Sequence, residues 1–377
     1  AIFVIAAVFW ATEVLPLYAT SLCVIGLEIL LLAGKGGLGP DAGQRTIGVA
    51  TFLEPFGSGV IMLFLGGFLL ARAASKHGVD RAVAAAVLRP IAHRPMLLIS
   101  AILGLTAFFS MWMSNTATTA MMLAVIAPIL ASMDRGARFA TAVILAVPLG
   151  ANIGGVATPI GTPPNAIALA ALRKAGFDIS FLEWMLFAAP LAVGMLALAG
   201  AVLYVLYRPR AAMPRVTIAA SGGLGSQGWA TVFVTLCAML LWLTSAWHGV
   251  ADAAIALIAA AALTALKVLD RQDVDSIDWN VLILMWGGLS LGKAMEVSGL
   301  VDHLVALPIM QQTGLVLAAV VIVLGLGLST FMSNTAAANL IIPMAMAMSA
   351  AEGGTLGVLR ALSCSFAMAL PVSTPPN

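Results

Sequence analysis

The sequence has 377 residues, of which 62% are hydrophobic and 9% are charged. Soluble globular domains contain about 45–50% apolar and about 25% charged residues, so this composition excludes a water-soluble fold. The net charge of +2 also excludes a nucleic-acid partner, because there is no basic surface to neutralise phosphates. We expect an all-α polytopic membrane protein, embedded in a lipid bilayer and located in the bacterial inner (cell) membrane.

In chain order, nine apolar segments are predicted to be membrane helices, because a helix needs about 20 mainly apolar residues to cross a bilayer. They are residues 1–12, 17–33, 57–75, 139–160, 184–207, 229–247, 250–267, 279–297 and 356–372. The chain starts inside an apolar segment and stops just after another. We therefore expect further membrane segments at one or both ends.

Two longer stretches, 95–133 and 304–351, carry no charged residue over 39 and 48 residues. A single straight helix of either length would be far longer than the ~30 Å hydrocarbon core. Arginines flank the first stretch on both sides, and positive charge marks the cytoplasmic face. Each stretch is therefore predicted to be a re-entrant hairpin, with two half-helices that meet at a tip inside the membrane.

Counting crossings forward from the first hairpin gives the orientation of the second. Residues 139–172 exit, 184–207 return, 229–267 form a hairpin that ends inside, and 279–297 exit again. The second charge-free stretch therefore starts on the outer side. This predicts inverted repeats.

Shorter charged segments lie between the crossings. Lys76–Arg94 is predicted to be an interfacial amphipathic helix, with Lys293–Leu307 as its counterpart. The acidic cluster Asp270–Asp278 is predicted to be a solvated cytoplasmic loop beside Lys267 and Arg271. The isolated charges near segment ends are predicted to be interfacial anchors: Glu13, Glu28, Glu183 and Arg360.

A repeated motif, S-x-x-M-S-N-T, stands at the middle of each charge-free stretch, at residues 110–116 and 329–335. A second pair follows, Gly-Thr-Pro-Pro-Asn at 161–165 and Ser-Thr-Pro-Pro-Asn at 373–377. Pro-Pro removes two backbone donors and breaks a helix. Inverted repeats with paired discontinuous helices are typical of the binding site of a secondary transporter.

The chemistry of these motifs favours ions. Broken helices offer unpaired N–H and C=O groups, and Ser, Asn and Thr add neutral oxygens and amides. The motifs contain no Lys, Arg, His, Asp or Glu, so a bound dianion needs cations that arrive with it. Sodium would serve. The same absence argues against a proton-driven pump or sodium/proton antiporter, which needs an intramembrane relay of ionisable residues.

With these motifs, the chain resembles the divalent anion/sodium symporter family, which includes di- and tricarboxylate and sulfate transporters. Two more segments carry the resemblance, Trp10–Leu17 (WATEVLPL) and Gly66–Ala71 (GGFLLA). The resemblance implies a homodimer in which each protomer has a static scaffold and a transport domain that moves as an elevator. It also implies sodium as coupling ion and no organic cofactor.

The resemblance further implies the site residues. One sodium ion would be bound by Ser110, Ser114, Asn115 and Gly161, and a second by Ser329, Met332 through its backbone, Asn334 and Ser373. Substrate carboxylates would contact Asn115, Thr116, Thr162, Ser333, Asn334, Thr335, Thr374 and Pro375.

The predicted organisation has four parts: scaffold helices at 1–56, a first repeat at 57–183, further scaffold helices and a cytoplasmic loop at 184–278, and the inverted repeat at 279–377. The predicted function is sodium-coupled import of divalent organic anions, C4-dicarboxylates such as succinate. A sulfate or other inorganic-oxyanion symporter and a dicarboxylate exchanger stay open. An integral membrane enzyme would need a charged constellation such as Asp270–Asp278. A channel is disfavoured because two blind-ended hairpins form gates and not a continuous pore.

Overall fold

The structure is a computed structural model that describes residues 1–34, 46–133, 138–174, 176–207, 223–300, 303, 314–348 and 374. Within these ranges, the backbone alone is described at 314–318, 320–321 and 343–348. The elements found there are all helices. This agrees with the predicted all-α class.

The first nine helices are α1 (Ile2–Thr12), α2 (Leu17–Leu32), α3 (Ala50–Leu53), α4 (Gly59–Lys76), α5 (Val79–Leu88), α6 (Pro95–Ser110), α7 (Asn115–Ala131), α8 (Arg138–Gly155) and α9 (Pro163–Lys174). The remaining helices are α10 (Phe181–Leu206), α11 (Ser226–Leu243), α12 (Ser245–His248), α13 (Asp252–Ala265), α14 (Arg271–Asp275), α15 (Trp279–Val297), α16 (Gly314–Phe331) and α17 (Asn334–Met348). Short 3₁₀ turns follow α3 and α5.

Several helices are long and apolar enough to cross a membrane. Four such spans lie in the described part of the chain: Ala50–Lys76, Arg138–Gly155, Phe181–Leu206 and Ser226–Leu243. Shorter apolar helices of 10–17 residues accompany them, among them α2, α6 and α7. Many large apolar side chains on these helices are exposed, for example Leu186, Val205 and Phe233. Such surfaces suit a hydrocarbon solvent, since exposed apolar area costs nothing in lipid.

The chain divides into two compact units. Counting only the described residues, unit 1 comprises Ala1–Met62, Pro163–Ile179 and Asp278–Thr374, and unit 2 comprises Leu63–Thr162 and Ser180–Ile277. In unit 1, α15 packs mainly on α2 and α17. In unit 2, α6 packs mainly on α8, and α7 and α10 also contact α8. The four-part organisation predicted from the sequence stays a prediction.

Both charge-free stretches are broken near their middle. The first forms α6 and α7, which end and begin around residues 111–114. The second forms α16 and α17, separated at residues 332–333. The helix predicted across 139–172 is also interrupted, because α8 ends at Gly155 and α9 begins at Pro163. These breaks confirm the predicted helix interruptions; re-entry of each hairpin on its own side stays a prediction.

Three predictions about charged segments need correction. Residues 293–297 continue α15 and do not begin a separate interfacial helix. The acidic cluster is not simply solvated, since Asp273 is buried and pairs with Arg72 and Lys76 of α4. Glu28 is fully buried and is no interfacial anchor. The predicted span 356–372 and Arg360 lie outside the described residues.

Candidate functional site

The first tip, at residues 110–116 in unit 2, joins the end of α6 to the start of α7. Ser110 is the last residue of α6 and is fully buried. Its hydroxyl donates to Oδ1 of Asn115, the first residue of α7, at 2.6 Å. Ser114 is the N-cap of α7, and its Oγ accepts from the backbone N–H of Ala117 at 3.3 Å. Serine at an N-cap is favoured because it satisfies a helix N–H that has no intrahelical partner.

Asn115 connects this tip to α8. Its Nδ2 donates to Oδ1 of Asn152 on α8 at 3.2 Å. Gly155 ends α8 beside it, and a Cβ there would lie 2.5 Å from Asn115 Oδ1 and 3.1 Å from the carbonyl oxygen of Gly161. The absence of a side chain at Gly155 leaves room there. The side-chain oxygen of Asn115 and the carbonyl oxygen of Gly161 both approach this residue. The structure thus gathers Ser110, Asn115 and Gly161, three of the residues predicted for one sodium ion.

The segment between α8 and α9 is held by two side chains. The Thr158 hydroxyl donates to the carbonyl oxygen of Met111 at the tip. The indole N–H of Trp184 donates to the carbonyl oxygen of Val156 at 3.2 Å. Both bonds fix the segment against its surroundings. Thr162, predicted to bind substrate, is buried at the end of this segment.

The aromatic residue of the first tip serves packing. Trp112 stacks with Phe181 at a ring-centroid distance of 6.0 Å and with Trp242 at 6.3 Å. Met113 next to it is buried in the core of unit 2. The tip therefore has a rigid apolar side behind its polar residues.

The second tip, at residues 329–335 in unit 1, repeats the first. Ser329 is fully buried on α16, and its hydroxyl donates to Asn334 Oδ1 at 2.5 Å. The Oγ of Ser333 accepts from the backbone N–H of Ala336 at 3.2 Å. The spacing of both contacts, five and three residues, equals that at the first tip. The two sequence motifs therefore adopt the same local hydrogen-bond pattern.

The remaining predicted residues are placed individually. Met332, Asn334 and Thr374 are buried in unit 1, whereas Ser333 and Thr335 are half-buried there. Thr116 is exposed at the start of α7. Ser114 is engaged as a helix cap, so its hydroxyl is not part of the Ser110–Asn115 contact. Ser373 and Pro375 lie outside the described residues.

The donor set at both tips fits a hard monovalent cation better than a transition metal. Hydroxyl, amide and carbonyl oxygens are neutral, hard ligands, and soft metals prefer thiolate or imidazole. In the described part of the chain, no three His, Cys, Asp or Glu side chains come together as a metal site. At each tip, the Ser–Asn hydrogen bond places a hydroxyl oxygen and an amide oxygen next to each other.

One participant was not predicted from the sequence. Asn152 lies inside α8, where it is almost fully buried and accepts from Asn115. An asparagine in an apolar helix is a signal in itself, since a buried amide needs hydrogen-bond partners. Asn152 belongs to neither repeated motif, so a comparison of the two repeats does not identify it.

Comparison with known proteins supports a transport role for this arrangement. The sequence profile described as the CitMHS citrate transporter family matches residues 7–370. The chain belongs to the citrate transporter family. It is therefore a secondary transporter and an integral membrane protein, which confirms the predicted resemblance to carboxylate and anion transporters.

Individual relatives span several substrates. An uncharacterized transporter of Haemophilus influenzae is 31% identical over 98% of this chain and 82% of its own length. The sodium-dependent dicarboxylate transporter SdcS of Staphylococcus saprophyticus is 29% identical over 98% of this chain and 77% of its own length. The inorganic phosphate transporter PHO87 of Saccharomyces cerevisiae is 29% identical over 90% of this chain, which spans 37% of that relative.

Proposed function

We propose that the protein is a sodium-coupled importer of divalent organic anions, with C4-dicarboxylates such as succinate as substrates. The observation that carries this proposal is the duplicated Ser–Asn contact, Ser110–Asn115 and Ser329–Asn334, at the start of two helices. Each copy presents neutral oxygens for a cation next to the N-terminal end of a helix, which favours an anion. Similarity to a sodium-dependent dicarboxylate transporter supports the same substrate pair.

The absence of formal charge in both motifs explains why sodium is needed. Neither 110–116 nor 329–335 contains an ionisable side chain. An uncompensated ion inside a protein costs several kcal/mol even after relaxation. Sodium ions bound to the Ser and Asn oxygens would supply the missing positive charge. Substrate and sodium binding are then thermodynamically linked, and each raises the affinity for the other by the same factor.

The side-chain roles and the transport cycle follow from the family resemblance and are part of this proposal. The two sodium sets and the substrate set are those named above, with Asn115 and Asn334 in both. The protein works as a homodimer in the bacterial inner membrane, through re-entrant hairpins that move with an elevator domain.

An inorganic oxyanion is the second candidate substrate. Similarity to an inorganic phosphate transporter favours it, and the same neutral donors would bind phosphate or sulfate. The name of the family makes citrate a third anion to be tested.

The test is uptake and binding by the purified protein. In proteoliposomes, labelled succinate should accumulate with an inward sodium gradient and not with choline at equal ionic strength. Unlabelled sulfate, phosphate and citrate are then added as competitors, and each should reduce succinate uptake in proportion to its own affinity for the site. In calorimetric titration, sodium should raise succinate affinity about 5–150-fold, which corresponds to a coupling of about 1–3 kcal/mol. Equal succinate affinity in sodium and choline chloride would contradict sodium coupling, and stronger binding of phosphate or sulfate would favour the second candidate.

Asparagine variants test the site itself. Asn115→Ala and Asn334→Ala each remove an amide that is proposed to contact both sodium and substrate. Loss of a hydrogen bond to a charged group costs about 1.5–3 kcal/mol, so succinate affinity should fall roughly 10–150-fold in sodium. Asn280→Ala is the matched control, because Asn280 is exposed at the start of α15. Normal uptake by either tip variant, with monodisperse protein, would contradict the assignment.

A further inference from the structure

Glu28 is a carboxyl group inside the core of unit 1. It lies on α2, and its side chain is fully buried. One carboxyl oxygen, Oε2, is hydrogen-bonded to the hydroxyl of Ser290 on α15. The other oxygen, Oε1, is buried without a hydrogen-bond partner. A charge in this position has one polar contact where an ionised carboxylate could accept about four.

In the part of the chain that the structure describes, no positive side chain compensates Glu28. Among the described helices, α15, α1 and α3 pack most extensively on α2, and neither α1 nor α3 contains an ionisable residue. On α15, Lys293 pairs with Glu296 at 3.2 Å, and Glu296 also pairs with Lys174. The acidic residues next to these helices, Glu13, Glu54 and Asp278, are exposed at helix ends. Within the described residues, Glu28 forms no ion pair with Lys, Arg or His.

The contact between α2 and α15 is too close for a hydration shell around a charge. A Cβ at Gly287 on α15 would lie 2.4 Å from the Cβ of Ser21 on α2. Ser21 precedes Glu28 by two helical turns on the same face, since residues seven apart align on a helix. Met295, Leu291 and Val24 nearby on these two helices belong to one buried apolar cluster.

We propose that Glu28 is a proton-binding site of the membrane domain, occupied by one proton when α2 is packed on α15. Isolated ionised carboxylates are very costly in apolar surroundings, and such groups neutralise instead. As a neutral acid, Glu28 can donate its O–H to Ser290 Oγ, which leaves a carbonyl oxygen that tolerates burial far better than a carboxylate. Release of the proton would require the two helices to part and admit water. An intramembrane ionisable residue with this setting is a functional group in many transporters.

The proposal does not rest on sodium-coupled transport, and its test needs no substrate. The full-length purified protein is examined by infrared spectroscopy for the C=O stretch of a protonated carboxylic acid, which shifts on exchange into D₂O. At neutral pH this band should be present in the wild type, absent in Glu28→Gln and unchanged in Glu183→Gln. Glu183 is the matched control, because its carboxylate caps α10 through Ser180 at the surface. Ser290→Ala should keep the band and shift its frequency, since the hydrogen bond is lost.

Two results would overturn the proposal. Identical spectra of the wild type and Glu28→Gln at neutral pH would show an ionised Glu28. A Glu28-dependent band that appears only when choline replaces sodium would identify a sodium ion as the occupant. If Glu28→Gln fails to fold, the frequency shift in Ser290→Ala still decides, because only a protonated Glu28 can produce it. A failure of sodium-coupled uptake leaves all of these spectra unaffected.

Discussion

Asp273 links the loop between α13 and α15 to α4. Its side chain is buried and accepts from Arg72 Nε at 3.0 Å and from Lys76 Nζ. Asp270, three residues earlier, caps α14 and forms a second ion pair with Lys76 at 2.9 Å. Burial alone raises the pKa of Asp273, but hydrogen bonds from Lys76, the Asp270 backbone and Arg72 outweigh it and lower the pKa to about 2.

This pKa predicts how stability depends on pH. The folded-state pKa is below the usual 3.8, so the ionised carboxyl stabilises unit 2 above about pH 4, and the contribution disappears between about pH 4 and pH 2. Asp273→Asn should lower the melting temperature at neutral pH, with a loss of about 2 kcal/mol, and the gap to wild type should narrow on acidification. Intrinsic tryptophan fluorescence on heating measures this. Asp275→Asn, at an exposed position in the same helix, is the control, and equal melting of the Asp273 and Asp275 variants would contradict the prediction.

Single residues differ in how far the sequence predicts them. Duplication of a polar motif in apolar surroundings marks both tips as candidate binding sites, and the family resemblance implies the roles of Ser110, Asn115, Ser329 and Asn334 there. The hydrogen bond between Ser and Asn within each copy could not be predicted, because it depends on the helix break that brings residues five apart together. Glu28 was misplaced because its position near the end of an apolar segment resembles an anchor, and only tertiary packing decides whether such a residue meets lipid headgroups or another helix.

At the scale of elements, α6 and α8 are held together by very close backbone contact. Gly150 and Gly154 on α8 are four residues apart on one face. A Cβ at Gly154 would lie 2.3 Å from the backbone of Ala107, and one at Gly150 would lie 2.8 Å from the carbonyl oxygen of Leu103. Small residues at this spacing let two helices approach closely in a membrane, where packing replaces the hydrophobic effect.

Gly154→Ala should therefore force α6 and α8 apart. Overpacking of this kind costs about 1–3 kcal/mol, and it also displaces Asn152, which orients Asn115. The expected result is a lower melting temperature together with weaker sodium-dependent succinate binding. Gly104→Ala on α6 is the matched control, because a Cβ there meets nothing within 4 Å and alanine improves helix propensity by up to about 1 kcal/mol. Equal stability of the two variants would show that the close contact is dispensable.

The sequence predicts where helices exist better than where they end. Pro163-Pro164 marks the start of α9 because proline is favoured in the first helical turn. The end of α8 at Gly155, five residues before the predicted limit of 160, has no proline or charge to signal it. It depends on the approach of Asn115 to Gly155 and on Trp184 binding the carbonyl of Val156. Both partners are distant in sequence.

At the scale of the whole molecule, two ion pairs join segments that are distant in sequence. In unit 2, Lys76 at the end of α4 pairs with Asp270 in the loop after α13. In unit 1, Lys174 at the end of α9 pairs with Glu296 at the end of α15. The crossing count predicts that both partners of the first pair lie on the cytoplasmic side and both partners of the second on the outer side, and this sidedness stays a prediction.

Cysteine labelling from each side of the membrane tests the inverted arrangement directly. His93 and His303 are exposed histidines that precede the first and second hairpin, and exposed Arg138 follows the first. After replacement of the native Cys23, Cys237 and Cys364 by serine, His93→Cys and Arg138→Cys should react with a membrane-impermeant maleimide only in inside-out vesicles. The positive flanks set this orientation. His303→Cys should react only in right-side-out vesicles. Opposite sides for His93 and Arg138 would mean that residues 95–133 cross the membrane, and the same side for His93 and His303 would contradict inverted repeats.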